Sequence, residues 1–599
     1  MKNTETKHTF HIPVMGLSYT IDSPIKTAHL GISSVISIIE HNMIEKMREY
    51  YSKLFNFPYE PITPKTEDFR AKRVTSYLDL VNEIVKLKFE KLKRSFTETR
   101  DELEKYFELL PSFSDLKKRF DELIAENKSI QEIQRWLDEN LSLGSIDVNI
   151  MTKLDGANYD GKEKLPLEQN YAHTALRGYA NSSLESSIVL SAGMNPRLFS
   201  YMENFDDFYP DKNGKFKKKI IIKVSDYRSA FIQGKFFAKK GLWVSEYRVE
   251  SGLNCGGHAF ATDGYLLGPI LDEFNKNRTE LHETTYEIYK AALIRKGKIV
   301  PDTLPTTKLT AQGGVGTAEE HKFLLDKYNV DSVGWGSPFL LVPEATTVDK
   351  NTLQILSDAT EEDLYLSSAS PLGVPFNNVR KSTKDVERKD LIENGTPGSS
   401  CPKRVLAFVA DYSEIPICTA SKKFINIKLN ELEKENLSDE EYDVKFQKIT
   451  EKECLCNGLA SSALLVNNLD TRMEGEAVSI CPGPNMAYYS GEFSLKEMVN
   501  HIYGKANLLN TENRPHMFIK ELKMYVDFLK EKIHETSCPF SDKQIKYFET
   551  FQNNLNDGIE YYKKLFAENK EALKDSYEKL ISDLESFEIQ IKRFVALSA

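Results

Sequence analysis

Short apolar runs rich in β-branched residues alternate with longer segments whose apolar positions recur every three or four residues, over about the first 340 residues of the chain. The runs fall at Thr9–Met15, Gly31–Ser37, Ile146–Thr152, Ser186–Gly193, Lys219–Ser225, Leu242–Val249, Lys308–Thr317 and Asp331–Val342. Each is strand-sized and separated from the next by a helical segment, which is the pattern of parallel strands joined by crossovers. Eight such units predict an α/β fold, a (β/α)8 TIM barrel, because eight parallel strands can close and bury both faces. An open doubly wound sheet would carry a dinucleotide fingerprint near its first strand, and none stands there.

Between the second and third runs the pattern breaks at Pro58, Pro61 and Pro64. From about 65 to 143 the chain is rich in Lys, Glu and Leu, and Val74, Tyr77, Leu78, Val81, Ile84 and Val85 keep helical spacing, so a helical hairpin or small bundle is expected as an insertion. Residues 1–345 therefore form the barrel domain, and 346–500 a cysteine-rich extension packed on it. The Pro- and Gly-rich stretches Ser368–Pro375 and Gly395–Pro402 read as extended polypeptide near the mouth of the barrel. Residues 501–599 return to helices, with Phe548, Phe551, Leu555, Ile559, Tyr562 and Phe566 on one stripe and Tyr577, Leu580, Leu584, Phe587, Ile591 and Phe594 on another. These stripes predict an antiparallel hairpin packed on the body of the protein, or a homo-oligomer interface.

At 599 residues with 40% hydrophobic and 11% aromatic content, the chain can bury a large core. Its formal charge of −10 is spread over interleaved acids and bases, which disfavours nucleic acid as a partner. No run approaches the length of a membrane span and no signal-like segment opens the chain, so no membrane association and a cytoplasmic location are expected. Seven cysteines, an odd number, argue against a disulfide scaffold.

Candidate chemistry centres on Ser251-Gly-Leu-Asn-Cys-Gly-Gly-His258, at the end of the sixth run. Gly256 and Gly257 would let backbone approach a flat ligand, His258 titrates near neutrality and suits proton transfer, and Cys255 could serve as a redox thiol or proton donor. Further glycine turns follow the last two runs, at Gly313, Gly314 and Gly316 and at Gly336 with Ser337. In a barrel those loops are the usual phosphate cradle. Cys401, Cys418, Cys454, Cys456 and Cys481 lie in the last third, and convergent thiolates there would bind an iron–sulfur cluster or zinc, the alternative being unligated cysteines, since Cys454-Leu-Cys456 matches no standard ligand spacing.

These motifs, with the Pro13-Val-Met15 strand and Val148-Asn149, resemble the nitronate monooxygenase (2-nitropropane dioxygenase-like) family, whose relatives include flavin-dependent enoyl reductases. The resemblance spans about the first 345 residues and implies an FMN barrel. It places FMN phosphate on Gly313, Gly314, Gly316, Gly336 and Ser337, flavin contacts on Met15, Gly16, Asn149, Gly256 and Gly257, and the catalytic histidine on His258. Lys223, at the end of the fifth run, is an addition from charge alone, since a cation there could stabilise an anionic reduced flavin. Asn254 and Cys255 depart from the family, as do Ala259-Phe260 after the histidine. The implied activity is an FMN-dependent oxidoreductase of a small-molecule substrate with an unassigned electron donor or acceptor. An iron–sulfur flavin reductase and a non-catalytic barrel scaffold are the alternatives.

Overall fold

The computed structural model describes residues 8–97, 100–112, 114–255, 263–536, 539–573 and 576–598. Eight parallel strands close into one barrel in chain order: β1 (Phe10–Ile12), β2 (Ser33–Ser37), β3 (Ile146–Ile150), β4 (Ser186–Leu190), β5 (Lys218–Val224), β6 (Val244–Glu250), β7 (Lys308–Gln312) and β8 (Ser332–Gly334). Closure is made at His11, whose Cα partners are Ser33 on one side and Gly334 on the other. The (β/α)8 expectation is met strand for strand.

Period-two alternation sorts the strand residues. Val14, Val35, Val189 and Ile221 form a small apolar cluster separate from the main core, while their neighbours Ile36, Ile188, Ile220 and Ile222 belong to the main core with the surrounding helices. The strands also bury polar side chains together: Arg248 pairs with Glu246 at 2.7 Å, and Thr310 donates to the same carboxylate at 2.6 Å. A buried charge in such a place persists because it is paired and hydrogen-bonded.

Four helices separate β2 from β3 after the helix His41–Leu54: Phe69–Arg94, Asp101–Leu109, Asp115–Ala125 and Ile130–Asn140. The first packs against the helix Tyr171–Ala180 that follows β3. Its approach is so close that a Cβ on Gly178 would lie 2.7 Å from the Ala71 carbonyl. Phe69–Arg94 thus belongs to the helical ring, and only the shorter helices after it stand outside.

Beyond the barrel, β9 (Leu364–Ser367) and β10 (Phe376–Val379) form an antiparallel hairpin. The extension is fastened to the loops at the C-terminal ends of the strands: Ser18 N–H donates to the Leu459 carbonyl, Tyr19 to that of Ser479, and Asn485 to those of Gly314 and Val315. It therefore caps the face on which barrel active sites sit. Of the last helices, Met517–Glu535 and Asp542–Glu568 meet the long helix Leu267–Lys296, and Ser576–Ser598 packs on those two. Tyr562 accepts from the Gly268 N–H at 3.1 Å and stacks on Phe518 with ring centroids 4.7 Å apart. The first aromatic stripe is buried against the body of the protein. No helix among the described residues is long and apolar enough to cross a membrane.

Candidate functional site

The C-terminal ends of β5, β6 and β7 bring together Lys223, Glu250 and Gln312. Glu250 and Gln312 are ladder partners, and the Lys223 ammonium lies 3.0 Å from Glu250. Glu250 also accepts from the side chains of Asn254 at 2.7 Å and Gln312 at 3.0 Å, and Gln312 donates as well to Asn254. The Gln312 side chain also hydrogen-bonds the ring of buried His11, whose Nδ1 lies 3.1 Å from the Ser332 hydroxyl.

The turn after β6 is held from outside the barrel. Ser251 donates to Glu521 at 2.6 Å, the Leu267 N–H donates to the same carboxyl at 2.9 Å, and the Gly252 N–H donates to Tyr525 at 3.2 Å. Burial pushes the Glu521 carboxyl up to about 7, against the pull of these donors and of Tyr562. Cys255 ends this described stretch. Its sulfur sits against Gly336, where an added Cβ would lie 2.3 Å from it, and it hydrogen-bonds Ser337. Burial, with Cys481 beside it, pushes the Cys255 thiol well up, so it is a neutral thiol rather than a thiolate nucleophile. Gly256, Gly257 and His258 lie outside the described residues.

The glycine loop after β7 divides into two parts. Gly313 and Gly314 have φ of 105° and 88°, a region open to glycine, and face the Asn254 backbone and the Leu253 side chain. Among the described residues their N–H groups meet no acceptor, nor does that of Ser337 after β8. Gly316 differs from the phosphate expectation: its N–H donates to the chain's own Glu320 at 2.9 Å. Glu320 also accepts from Arg514 at 2.7 Å and from the Met517 N–H at 2.8 Å. Burial raises its carboxyl, but Arg514, His516 and the Gly316 N–H outweigh that and hold it below the usual range. The guanidinium of Arg514 donates in addition to the Gly314 carbonyl at 2.8 Å, and its Nε is buried without a partner.

Gly313, Gly314 and Ser337 thus keep backbone donors without an acceptor among the described residues, whereas at Gly316 a carboxylate already holds the donor. Gly336 is a packing position beneath Cys255. After β1, Met15 is buried and its N–H donates to Thr20 at 3.3 Å and Gly16 has φ 59° beneath Tyr19, while on β3 Asn149 donates to the Val189 carbonyl at 3.1 Å.

The five-cysteine metal set is not what the structure assembles. Cys401 and Cys418 hydrogen-bond each other, with Cys454 and Cys456 in the same neighbourhood, whereas Cys481 stands by Cys255. Cys454 caps the helix Leu455–Val466 and Cys456 lies two residues on, a spacing that turns side chains to different sides. Among the described residues no three His, Cys, Asp or Glu side chains could hold a metal ion. The iron–sulfur and zinc expectation finds no site among the described residues.

Beside this corner a groove of about 290 Å3 runs between Leu253, the β9–β10 hairpin, the Pro482–Pro484 turn and the helix Met517–Glu535. Leu364, Leu366, Met524 and Phe528 give it apolar walls, and Lys520, paired with Glu361 at 2.6 Å, stands at its edge. Glu250, Asn254, Gln312, Asn485 and Arg514 are the residues sequence reasoning missed. Gln312 and Asn254 adjoin the glycine motifs and could have been suspected from that position, but nothing local marks Asn485 or Arg514.

No family model matches the chain, and no curated protein matches it. Among solved structures it is similar to the enoyl reductase domain of MlnA from the macrolactin biosynthesis cluster of Bacillus amyloliquefaciens, at 16% identity and a TM-score of 0.31, over 70% of this chain and 88% of that one. It is also similar to FabK from Thermotoga maritima, at 9% identity and a TM-score of 0.34, over 87% of this chain and 96% of that one. The barrel assignment rests on the strand ladder itself.

Proposed function

We propose that this protein is an FMN-dependent oxidoreductase acting on a small acidic carbon compound, a nitronate or an unsaturated carbonyl or thioester. The observation that carries the reading is the pair of N–H groups at Gly313 and Gly314 that meet no acceptor among the described residues, at the C-terminal end of β7 beside the Lys223–Glu250–Gln312 cluster. Gly313, Gly314 and Ser337 would hold the phosphate, and Arg514 would add positive charge at that corner. Met15, Gly16 and Asn149 would stand along the ring. FMN, when bound, supplies two-electron transfer to or from an activated carbon.

The chain's own residues prepare the place. Lys223 presents a cation at the strand ends, held there by Glu250. Gln312 holds Glu250 and Asn254 in place, and Cys255 keeps its proton and hydrogen-bonds Ser337. The groove beside Leu253 suits the apolar part of a substrate. His258, three residues beyond Cys255, moves the proton in this reading, by the family resemblance. Replacing His258 with Ala should lower turnover by about a hundredfold while FMN stays bound. Loss of FMN from that variant, or unchanged turnover, would contradict the assignment.

A further inference from the structure

We propose that Asn485, carried by the C-terminal extension, is the positioning residue of the glycine loop after β7: it holds the loop's carbonyls to the cap and so leaves the N–H groups of Gly313, Gly314 and Val315 for a phosphate. The inference rests on the FMN reading above and adds to it a residue from outside the barrel. The carboxamide is fixed at both ends. Its Nδ2 donates to the Gly314 carbonyl at 2.7 Å and to the Val315 carbonyl at 2.8 Å, and its Oδ1 accepts from the Arg514 guanidinium at 3.3 Å. Arg514 donates to the same Gly314 carbonyl at 2.8 Å and is itself held by Glu320 at 2.7 Å. A flipped amide would set its NH2 against a cation and its oxygen against two carbonyls, so the network admits one orientation.

In a trans peptide the N–H lies opposite the C=O. Fastening the Gly314 carbonyl to the cap therefore aims the Val315 N–H the other way, and that N–H, like those of Gly313 and Gly314, meets no acceptor among the described residues. Fastening the Val315 carbonyl does the same for the Gly316 N–H, which goes to Glu320 at 2.9 Å. One side chain thus sets the boundary between the open donors and the closed one. Successive N–H groups left open in this way are what an anion needs.

The place of Asn485 is fixed in its turn. It stands in the short helical turn Pro484–Tyr488, directly after Pro482 and Gly483, and is buried. Gly483 has φ 72°, and a Cβ there would lie 2.7 Å from the Ser337 hydroxyl. This stretch of the cap therefore lies against both glycine loops, the one after β7 through Asn485 and the one after β8 through Gly483.

The test titrates the full chain with FMN and with riboflavin, which lacks the phosphate, and reads retention by ultrafiltration and flavin fluorescence beside thermal melts. The parent is expected to hold FMN at least about tenfold tighter than riboflavin. Asn485→Ala should weaken FMN about tenfold and leave riboflavin as in the parent, so that the preference collapses. Tyr489→Phe is the control. It removes a hydrogen bond of similar length, 2.9 Å, from the neighbouring cap residue to the Gly316 carbonyl, beyond the closed donor, and should keep the preference. Should Asn485→Ala not fold, Asn485→Ser, whose hydroxyl can donate to one carbonyl, makes the same comparison. An unchanged preference in the Asn485 variant, or equal weakening of both flavins, overturns the positioning role while the FMN reading stands. A parent chain that takes up neither flavin, or both equally, overturns the phosphate reading and this inference with it.

Discussion

Above β2, Glu40, Lys403 and Glu474 meet with side chains no more than 2% exposed, and Lys46 adds a second cation to Glu474 at 2.7 Å. Above β5 to β7, Lys223 and Glu250 meet as well, but their side chains are 13% and 12% exposed, and the N–H groups of Gly313 and Gly314 meet no acceptor among the described residues. One corner of the barrel mouth is closed by the chain's own charges. The other keeps backbone donors open to a ligand. Buried paired charges fasten the cap, and open donors mark the place proposed for chemistry.

Substitutions at the two corners should therefore fail in different ways. Lys403→Met leaves buried Glu40 without its cation and Glu474 with Lys46 alone, and should cost about 3–5 kcal/mol of stability in urea unfolding. A loss near that of an exposed pair would show that the closed corner is wetter than it looks.

Glu521→Gln should show its effect through pH. The carboxyl is raised from 4.5 to about 7 in the folded chain, so the native state binds the extra proton between those values. Its contribution is present below pH 4.5 and is lost as pH rises through 7, about 3 kcal/mol in all. The variant should gain on the parent by that order between pH 5 and pH 8 in paired unfolding curves. A pH-independent difference would remove the buried carboxyl from the account.

The smallest stability effect belongs to the open corner. Lys223→Met should change stability by under about 1 kcal/mol, because the pair keeps some contact with water. It should still lower turnover about tenfold if the cation faces the reacting ring. Equal effects on stability at Lys223 and Lys403 would erase the contrast between the corners.

How much of this could be read from sequence follows the range of the interactions. The eight strands were legible because period and length are local properties, and the aromatic stripe of Asp542–Glu568 was legible for the same reason. Phe69–Arg94 was assigned to the insertion because its spacing says helix but not which neighbour it packs on, a matter decided at Gly178. Gly313 and Gly316 look alike in sequence. Glu320, one turn into the following helix, and Arg514, about two hundred residues away, separate them. The cysteine spacing is silent about partners for a related reason. Cys481 lies as near Cys456 in sequence as many ligands do, yet its loop carries it to Cys255.

The central claim is tested most directly by FMN titration of the purified chain beside Gly314→Val, followed by flavin fluorescence and by absorbance after ultrafiltration. The account predicts about one FMN retained per parent chain and at least about tenfold weaker retention by the variant, whose side chain would meet Leu253 at a positive-φ position. No uptake by the parent chain, or equal retention by both, would contradict it.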